Sequence, residues 1–170
     1  MRLTWKDNIV DVLDSSLNTI ETMPMFDGVN EGWGITRNND MLYVSNGSET
    51  IHKINALTFE SEGSFQVTMP NGKKVRRINE LEFVDGLIFG NIFTTNIVVG
   101  FDANNGKVTK QIDFSSLLET EKNFNFKTNN RMRGWDYSNN VLNGIAYDSN
   151  SGDLFLTGKR WSLLFRVRLI

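Results

Sequence analysis

The chain has 170 residues, with 18 basic and 20 acidic side chains and therefore a formal net charge of only -2. It contains no cysteine and a single histidine, His52, so disulfides, thiolate metal sites and a multi-histidine zinc site are excluded. No run of like charges indicates a nucleic-acid surface, and no apolar run reaches the length of a membrane helix. We therefore expect a globular chain with no metal or other cofactor, no nucleic-acid partner and no membrane partner.

The two ends of the chain differ from its middle. Residues 1–24 predict a partial unit that starts within a strand, with further strands at residues 6–13 and 19–23. Residues 141–170 predict a last unit that lacks a fourth strand. The N-terminus has no long apolar run like that of a signal peptide. The compartment is left open, and a periplasmic or secreted location is expected only if a full-length form carries such a peptide.

Between the ends, a unit of four short strands repeats. One copy spans residues 31–68 and the next spans residues 79–114. Asn, Asp and Gly residues separate the strands and supply the turn conformations that hairpins require. Each copy is a four-stranded meander, which is typical of a propeller blade. We therefore predict a single all-β domain over residues 1–170, an incomplete β-propeller with two full and two partial blades.

One segment breaks the repeat. Residues 115–140 are rich in asparagine and carry no strand pattern. Long segments of this kind in compact folds are usually functional or disordered. We expect an insertion loop near a pocket, with Trp135 as a candidate wall, and a flexible connection is the alternative.

Four segments, in order, resemble motifs of the plant and bacterial glutaminyl-peptide cyclotransferases. They are residues 31–34 (EGWG), 75–82 (VRRINELE), 141–148 (VLNGIAYD) and 156–161 (LTGKRW). The resemblance implies a five-bladed β-propeller that converts an N-terminal glutamine into pyroglutamate and releases ammonia. Its partners would be peptides or proteins with an N-terminal glutamine, and it would use no metal or other cofactor.

The resemblance also implies a pocket walled by tryptophans, where an asparagine and a lysine bind the polar atoms of the substrate. The residues that match these positions are Trp5, Trp33, Asn79 and Lys159. Phe93 stands where the family has a further tryptophan, which keeps an aromatic wall but removes an indole N–H donor. Without the motifs, the same residues would be interpreted as blade-packing aromatics, a turn asparagine and a solvated lysine.

The catalytic residue is left unassigned. The resemblance implies a catalytic glutamate, and a substrate-binding glutamine, at positions that precede Met1. Glu31 and Glu80 are the candidates to replace that glutamate, although both already have places in the motifs, and Glu82 alternates like a strand residue. General acid-base groups typically contribute about 10²- to 10⁴-fold to a rate, so activity depends on whether such a residue exists.

Two other functions stay open beside the enzyme. The first is a non-catalytic protein that binds peptide N-termini. The second is a structural propeller fragment that self-associates through its open blade edges, because unpaired strands can pair with another chain.

Overall fold

The computed structural model describes residues 1–129 and 135–169. Its strands form four antiparallel sheets, each a meander of strands consecutive in sequence. The first sheet contains β1 (Arg2–Leu3), β2 (Ile9–Leu13) and β3 (Thr19–Pro24). The second contains β4 (Gly34–Asn38), β5 (Met41–Ser45), β6 (Thr50–Asn55) and β7 (Ser61–Gln66). The third contains β8 (Ile78–Val84), β9 (Leu87–Ile92), β10 (Ile97–Asp102) and β11 (Val108–Asp113). The fourth contains β12 (Leu142–Asp148), β13 (Asp153–Gly158) and β14 (Phe165–Arg168). The all-β prediction is confirmed.

Tight turns join the first and second strands of the second, third and fourth sheets. Asp85 and Gly86 both have positive φ, at 48° and 85°, as a two-residue hairpin loop requires. Asn39 and Gly152 also have positive φ in the corresponding turns of the second and fourth sheets. Residues that tolerate left-handed backbone conformations therefore occupy the turns where the chain reverses direction.

The core lies between the sheets, because each pair of neighbouring sheets packs face to face. Ile88 packs in the cluster between the second and third sheets, whereas the next residue, Phe89, packs in the cluster between the third and fourth. In the same way, Val99 packs in the cluster between the second and third sheets and Val98 in the cluster between the third and fourth. Successive strand residues point to opposite faces, so a strand buried on both faces is apolar along most of its length. Full burial of one such side chain stabilises the fold by about 1.5–3 kcal/mol.

The segment expected to be an insertion loop, residues 115–140, begins instead with a helix, α1 (Ser115–Asn129). The carboxylate of Asp113 accepts hydrogen bonds from the backbone N–H and the hydroxyl of Ser115, at 2.8 and 2.6 Å, which caps the start of the helix. Glu121 of α1 is fully buried, so tertiary contacts support a segment whose composition suggested a loop. In residues 1–129 and 135–169, no helix is both long enough and apolar enough to cross a membrane.

Candidate active site

A cavity of about 260 Å³ opens where the first strands of the second, third and fourth sheets begin. Its walls are Trp5, Gly32, Trp33, Asn79, Glu80, Phe93, Asn139, Asn143 and Lys159. This set includes every residue predicted to bind substrate, drawn from all four sheets, and one of the two candidate catalytic residues, Glu80. That these residues bind substrate stays a prediction, but the fold brings them to one place.

Trp33 is fixed by its neighbours on two sides. Its backbone N–H donates to the Ser45 carbonyl at 3.0 Å, and its ring packs edge-on against Phe93 with centroids 5.5 Å apart. A Cβ at Gly47 would lie 2.5 Å from the Trp33 ring, so only glycine allows the indole to rest there. The Trp33 wall of the cavity is therefore held in place by packing against Phe93 and Gly47.

Glu31 joins Trp33 to Trp5. A single oxygen, Oε2, accepts hydrogen bonds from the Trp5 indole N–H at 2.8 Å and the Trp33 indole N–H at 3.0 Å. These bonds, the Trp33 bond first and then that from Trp5, lower the pKa of Glu31, and the charge of Lys6 acts in the same direction. Glu31, the other candidate catalytic residue, is thus committed to the indoles.

A bulge in the third sheet points Glu80 into the cavity. Ile78 pairs with Ile92 and Leu81 pairs with Gly90, so Asn79 and Glu80 together face one residue of β9. Bulges of this kind redirect side chains next to active sites. The one residue opposite is Asn91, which is fully buried and accepts a hydrogen bond from the Glu80 N–H at 3.0 Å.

The fourth sheet repeats this irregularity beside the first. Its pairing shifts between Leu142 and Ile145, at Asn143 and Gly144. The side-chain N–H of Asn79 donates to the side-chain oxygen Oδ1 of Asn143, which joins the two bulges. Asn91 donates to the Leu142 carbonyl at 2.8 Å. The polar floor of the cavity is therefore a network between two sheets.

Glu80 is a half-buried carboxyl of the cavity, and Lys159 is its nearby cation. Burial is the largest influence on Glu80 and raises its pKa, while the charge of Lys159 opposes that shift and the charge of Glu82 adds to it. Lys159 follows β13, its backbone N–H donates to the Val141 carbonyl at 2.8 Å, and its Nζ lies 4.7 Å from the centre of the Phe93 ring. A raised pKa makes a carboxylate a stronger base, which suits a group that transfers protons.

Three lining residues were not in the predicted site. Asn143 had been interpreted as a turn residue, and its motif position beside Gly144 was the available signal. Gly32 lines the cavity with its backbone, because it has no side chain. Asn139 is presented by the insertion and donates to the Asp136 carboxylate at 2.6 Å, and no repeat or motif marked it. Trp135, a candidate wall, is not among the lining residues.

Among residues 1–129 and 135–169, no three or more His, Cys, Asp or Glu side chains are grouped so as to hold a metal ion. The cavity offers aromatic walls, amide and ammonium donors, and the half-buried carboxyl of Glu80. Such a set can hold a small polar side chain, polarise a carbonyl and transfer a proton.

Known proteins share this arrangement of strands. The crystal structure of Myxococcus xanthus glutaminyl cyclase matches with a TM-score of 0.84 and 31% identity, over 98% of this chain and 66% of that one. A glutaminyl-peptide cyclotransferase of Arabidopsis thaliana is 28% identical over 152 residues, which are 89% of this chain and 44% of that protein. The WD40 β-propeller domain of Doa1 matches with a TM-score of 0.53 at 11% identity, over 96% of this chain and 44% of that one, a likeness of fold alone.

The chain thus spans less than half of the Arabidopsis relative and about two thirds of the Myxococcus chain. Within that span the match is continuous, because the family model for glutamine cyclotransferase covers residues 1–169. This chain belongs to the glutamine cyclotransferase family.

Proposed function

We propose that this chain binds the N-terminal glutamine of a peptide and cyclises it to pyroglutamate with release of ammonia. The observation that carries the proposal is the convergence in one cavity of aromatic walls, the Asn79 amide, the Lys159 ammonium and the Glu80 carboxyl. The size of the cavity, about 260 Å³, suits one side chain folded onto its own amino group rather than an extended peptide.

In this proposal the aromatic walls of Trp5, Trp33 and Phe93 keep the glutamine side chain folded. Folding brings the α-amino nitrogen within reach of the side-chain amide carbon, and holding reactants together in this way lowers the barrier. Asn79 and Lys159 donate hydrogen bonds to the amide oxygen, which becomes more negative as the amine attacks. Donors placed in advance at that oxygen stabilise the transition state more than the substrate.

Glu80 moves the proton. The neutral α-amine attacks the amide carbon and forms the ring C–N bond, and the carboxylate accepts the proton that the new ring nitrogen must lose. The same carboxyl then returns this proton to the side-chain nitrogen, the C–N bond to that nitrogen breaks, and ammonia leaves. Protons and charge therefore balance over the reaction. Burial, which raises the pKa of Glu80, suits a group that must be both base and acid.

Glu31 is the poorer candidate for this role. Both of its hydrogen bonds come from indole N–H groups to the same oxygen, and they stabilise the ionised form. The resulting lowered pKa makes Glu31 a weak base and a poor proton carrier near neutral pH.

We also propose that the reaction needs no metal ion. The proposal is supported by Lys159 and Asn79, which supply the donors that a Lewis acid would otherwise provide, and by the commitment of Glu31 to the indoles. Turnover that survives exhaustive treatment with a chelator is the expected result, and activity restored only by an added divalent cation would contradict it.

The direct test is ammonia release from a Gln-initiated dipeptide by the purified chain. Glu80→Gln should lower kcat by about 10²- to 10⁴-fold, and Lys159→Ala should lower kcat/KM because an amide-oxygen donor is lost. Glu82→Gln is the matched control, because Glu82 lies on the same strand and burial also raises its pKa, but it lines a different cavity. Equal turnover by the wild-type chain and Glu80→Gln would remove Glu80 from the mechanism.

The alternatives make different predictions in the same experiment. A protein that only binds peptide N-termini would show saturable binding of the dipeptide without ammonia release. A structural fragment that self-associates through open blade edges such as β14 would show neither, and its sedimentation coefficient would rise with concentration. We expect turnover, and we keep self-association as a separate prediction for sedimentation to test.

A further inference from the structure

The Glu31 carboxylate links two walls of the cavity that come from different sheets. Trp5 lies in the connection between β1 and β2, and Trp33 lies directly before β4. Both indole N–H groups donate to Glu31 Oε2, so this one atom limits how far apart their nitrogens can lie. Hydrogen bonds to a charged acceptor are stronger than those to a neutral one.

The two indoles depend on Glu31 to different degrees. Trp33 is also held by the Phe93 ring and by its close approach to Gly47. Trp5 is 56% exposed, and the Lys6 ammonium lies 4.4 Å from its ring centre. Exposed side chains reorient rapidly between rotamers, so the Glu31 bond is what holds the Trp5 ring against the cavity.

We propose that Glu31 is a positioning residue, whose carboxylate holds the Trp5 indole against the Trp33 indole so that the two close on the substrate side chain. The identity of the substrate in this inference rests on the proposed function, whereas the contacts between Glu31 and the two indoles do not. Glu31 acts through Trp5 and transfers no proton.

Kinetics separate this role from proton transfer. Glu31→Ala removes the acceptor, so we expect KM to rise about tenfold with kcat changed less than about threefold, as for loss of a binding contact. Glu31→Gln keeps a carbonyl oxygen with two lone pairs and should restore KM to within about threefold of the wild-type value. A fall of about 100-fold in kcat for Glu31→Gln at unchanged KM would instead identify a proton carrier and overturn the proposal.

A double-mutant cycle tests whether the effect passes through Trp5. Trp5→Phe keeps an aromatic ring but removes the indole N–H, and Glu31→Ala should add no further rise in KM in that background, since coupled residues are not additive. Fully additive effects would show that Glu31 acts elsewhere. Glu60→Ala, which removes an exposed carboxylate that bonds only within its own turn, is the matched control.

A measurement on the free protein keeps the inference testable if no turnover is found. An indole held in one orientation contributes to the near-ultraviolet circular dichroism, so Glu31→Ala should lose the same bands that Trp5→Phe loses, while Glu31→Gln keeps them. If the wild-type chain shows no turnover but the variants show these spectral changes, only the proposed function is contradicted. A Glu31→Ala spectrum identical to that of the wild type would overturn the positioning role whatever the activity.

Discussion

At the scale of single residues, Glu80, the proposed proton carrier, is expected to support activity at a cost in stability. Burial raises its pKa, so the folded chain holds this proton more tightly than the unfolded chain does. Above the ordinary pKa of a glutamate, ionising the buried carboxyl therefore costs folding free energy, and below it the cost is absent. Proteins commonly lose stability at catalytic positions in this way.

We therefore predict that Glu80→Gln, which loses activity, is more stable than the wild type at neutral pH. The neutral amide resembles the protonated carboxyl, so the difference in unfolding free energy should shrink as the pH falls toward and below 4.5, the ordinary pKa of the group. Urea unfolding at several pH values measures this. A variant less stable than the wild type at neutral pH would show that the ionised carboxyl is stabilised by its surroundings, against this prediction.

The sequence was informative about residues with a fixed motif position and uninformative about those whose role depends on backbone geometry. Trp5, Trp33, Asn79 and Lys159 were placed near one another because their motifs are specific. Glu80 was kept as a candidate with little support because it already had a place in a motif. The bulge that points it into the cavity comes from a pairing shift against β9, which has no local sequence signal.

At the scale of elements, one buried carboxylate on β13 binds two arginines of the neighbouring strand β14. Asp153 of β13 is almost fully buried, and two arginines of β14, Arg166 and Arg168, bind its two oxygens. The hydrogen bond from Arg168, followed by that from Arg166, lowers the pKa of Asp153 to about 2. The folded state thus favours the ionised form, and this contribution to stability is complete only above the ordinary value of 3.8.

We predict that Asp153→Asn destabilises the fold at neutral pH by an amount that disappears on acidification. The loss should be constant above about pH 5 and should shrink as the pH falls from 3.8 toward 2, where the wild-type carboxyl also becomes protonated. Asp40→Asn, at an exposed turn position, is the control that should change little. A destabilisation that stayed the same down to pH 2 would show that it comes from altered packing of the side chain rather than from loss of the Asp153 charge.

Helix α1 is anchored beside the lysine of the cavity. The buried Glu121 accepts hydrogen bonds from the backbone N–H groups of Ser162 and Leu163, at 2.7 and 3.0 Å, and from the side chain of Asn125. Ser162 and Leu163 follow Lys159 in the same loop. The helix therefore fixes the loop that presents Lys159.

Glu121→Ala should lower the free energy of unfolding by roughly 2–4 kcal/mol, because the backbone N–H groups of Ser162 and Leu163 both lose their acceptor. It should also raise KM for the dipeptide, since the Lys159 loop loses its anchor. Chemical denaturation and steady-state kinetics measure the two effects, and Glu119→Ala, exposed on the same helix, is the control. Unchanged stability would contradict the anchoring role.

Elements with a strong period were predictable and the helix was not. Apolar runs bounded by Asn, Asp and Gly predicted the second strands, because a strand buried on both faces is apolar along most of its length. Helix α1 is polar around most of its circumference, and its buried face includes a glutamate and an asparagine, Glu121 and Asn125. Without an apolar stripe, its composition resembled that of a loop.

At the scale of the whole molecule, all four sheets contribute to one cavity. The repeat pattern predicted how many sheets to expect, but not how closely their ends approach, because that distance is set by face-to-face packing between sheets. Gly34 shows how close the approach is, since a Cβ there would lie 2.1 Å from the carbonyl oxygen of Asn79 in the next sheet. The cavity is therefore a property of the assembled fold.

A ligand held by four sheets should stabilise the entire chain rather than one part of it. We predict that a Gln-initiated peptide, added to Glu80→Gln so that it is not consumed, raises the unfolding free energy by about 2.7 kcal/mol at 100 times its Kd. The unfolding transition should shift as one, because losing any sheet removes part of the cavity. A peptide that begins with alanine should give no shift at the same concentration, as it lacks the side chain that the walls enclose. An equal shift with both peptides, or a transition that splits when the glutamine peptide is added, would show that the cavity is not the binding site or that the sheets do not unfold together.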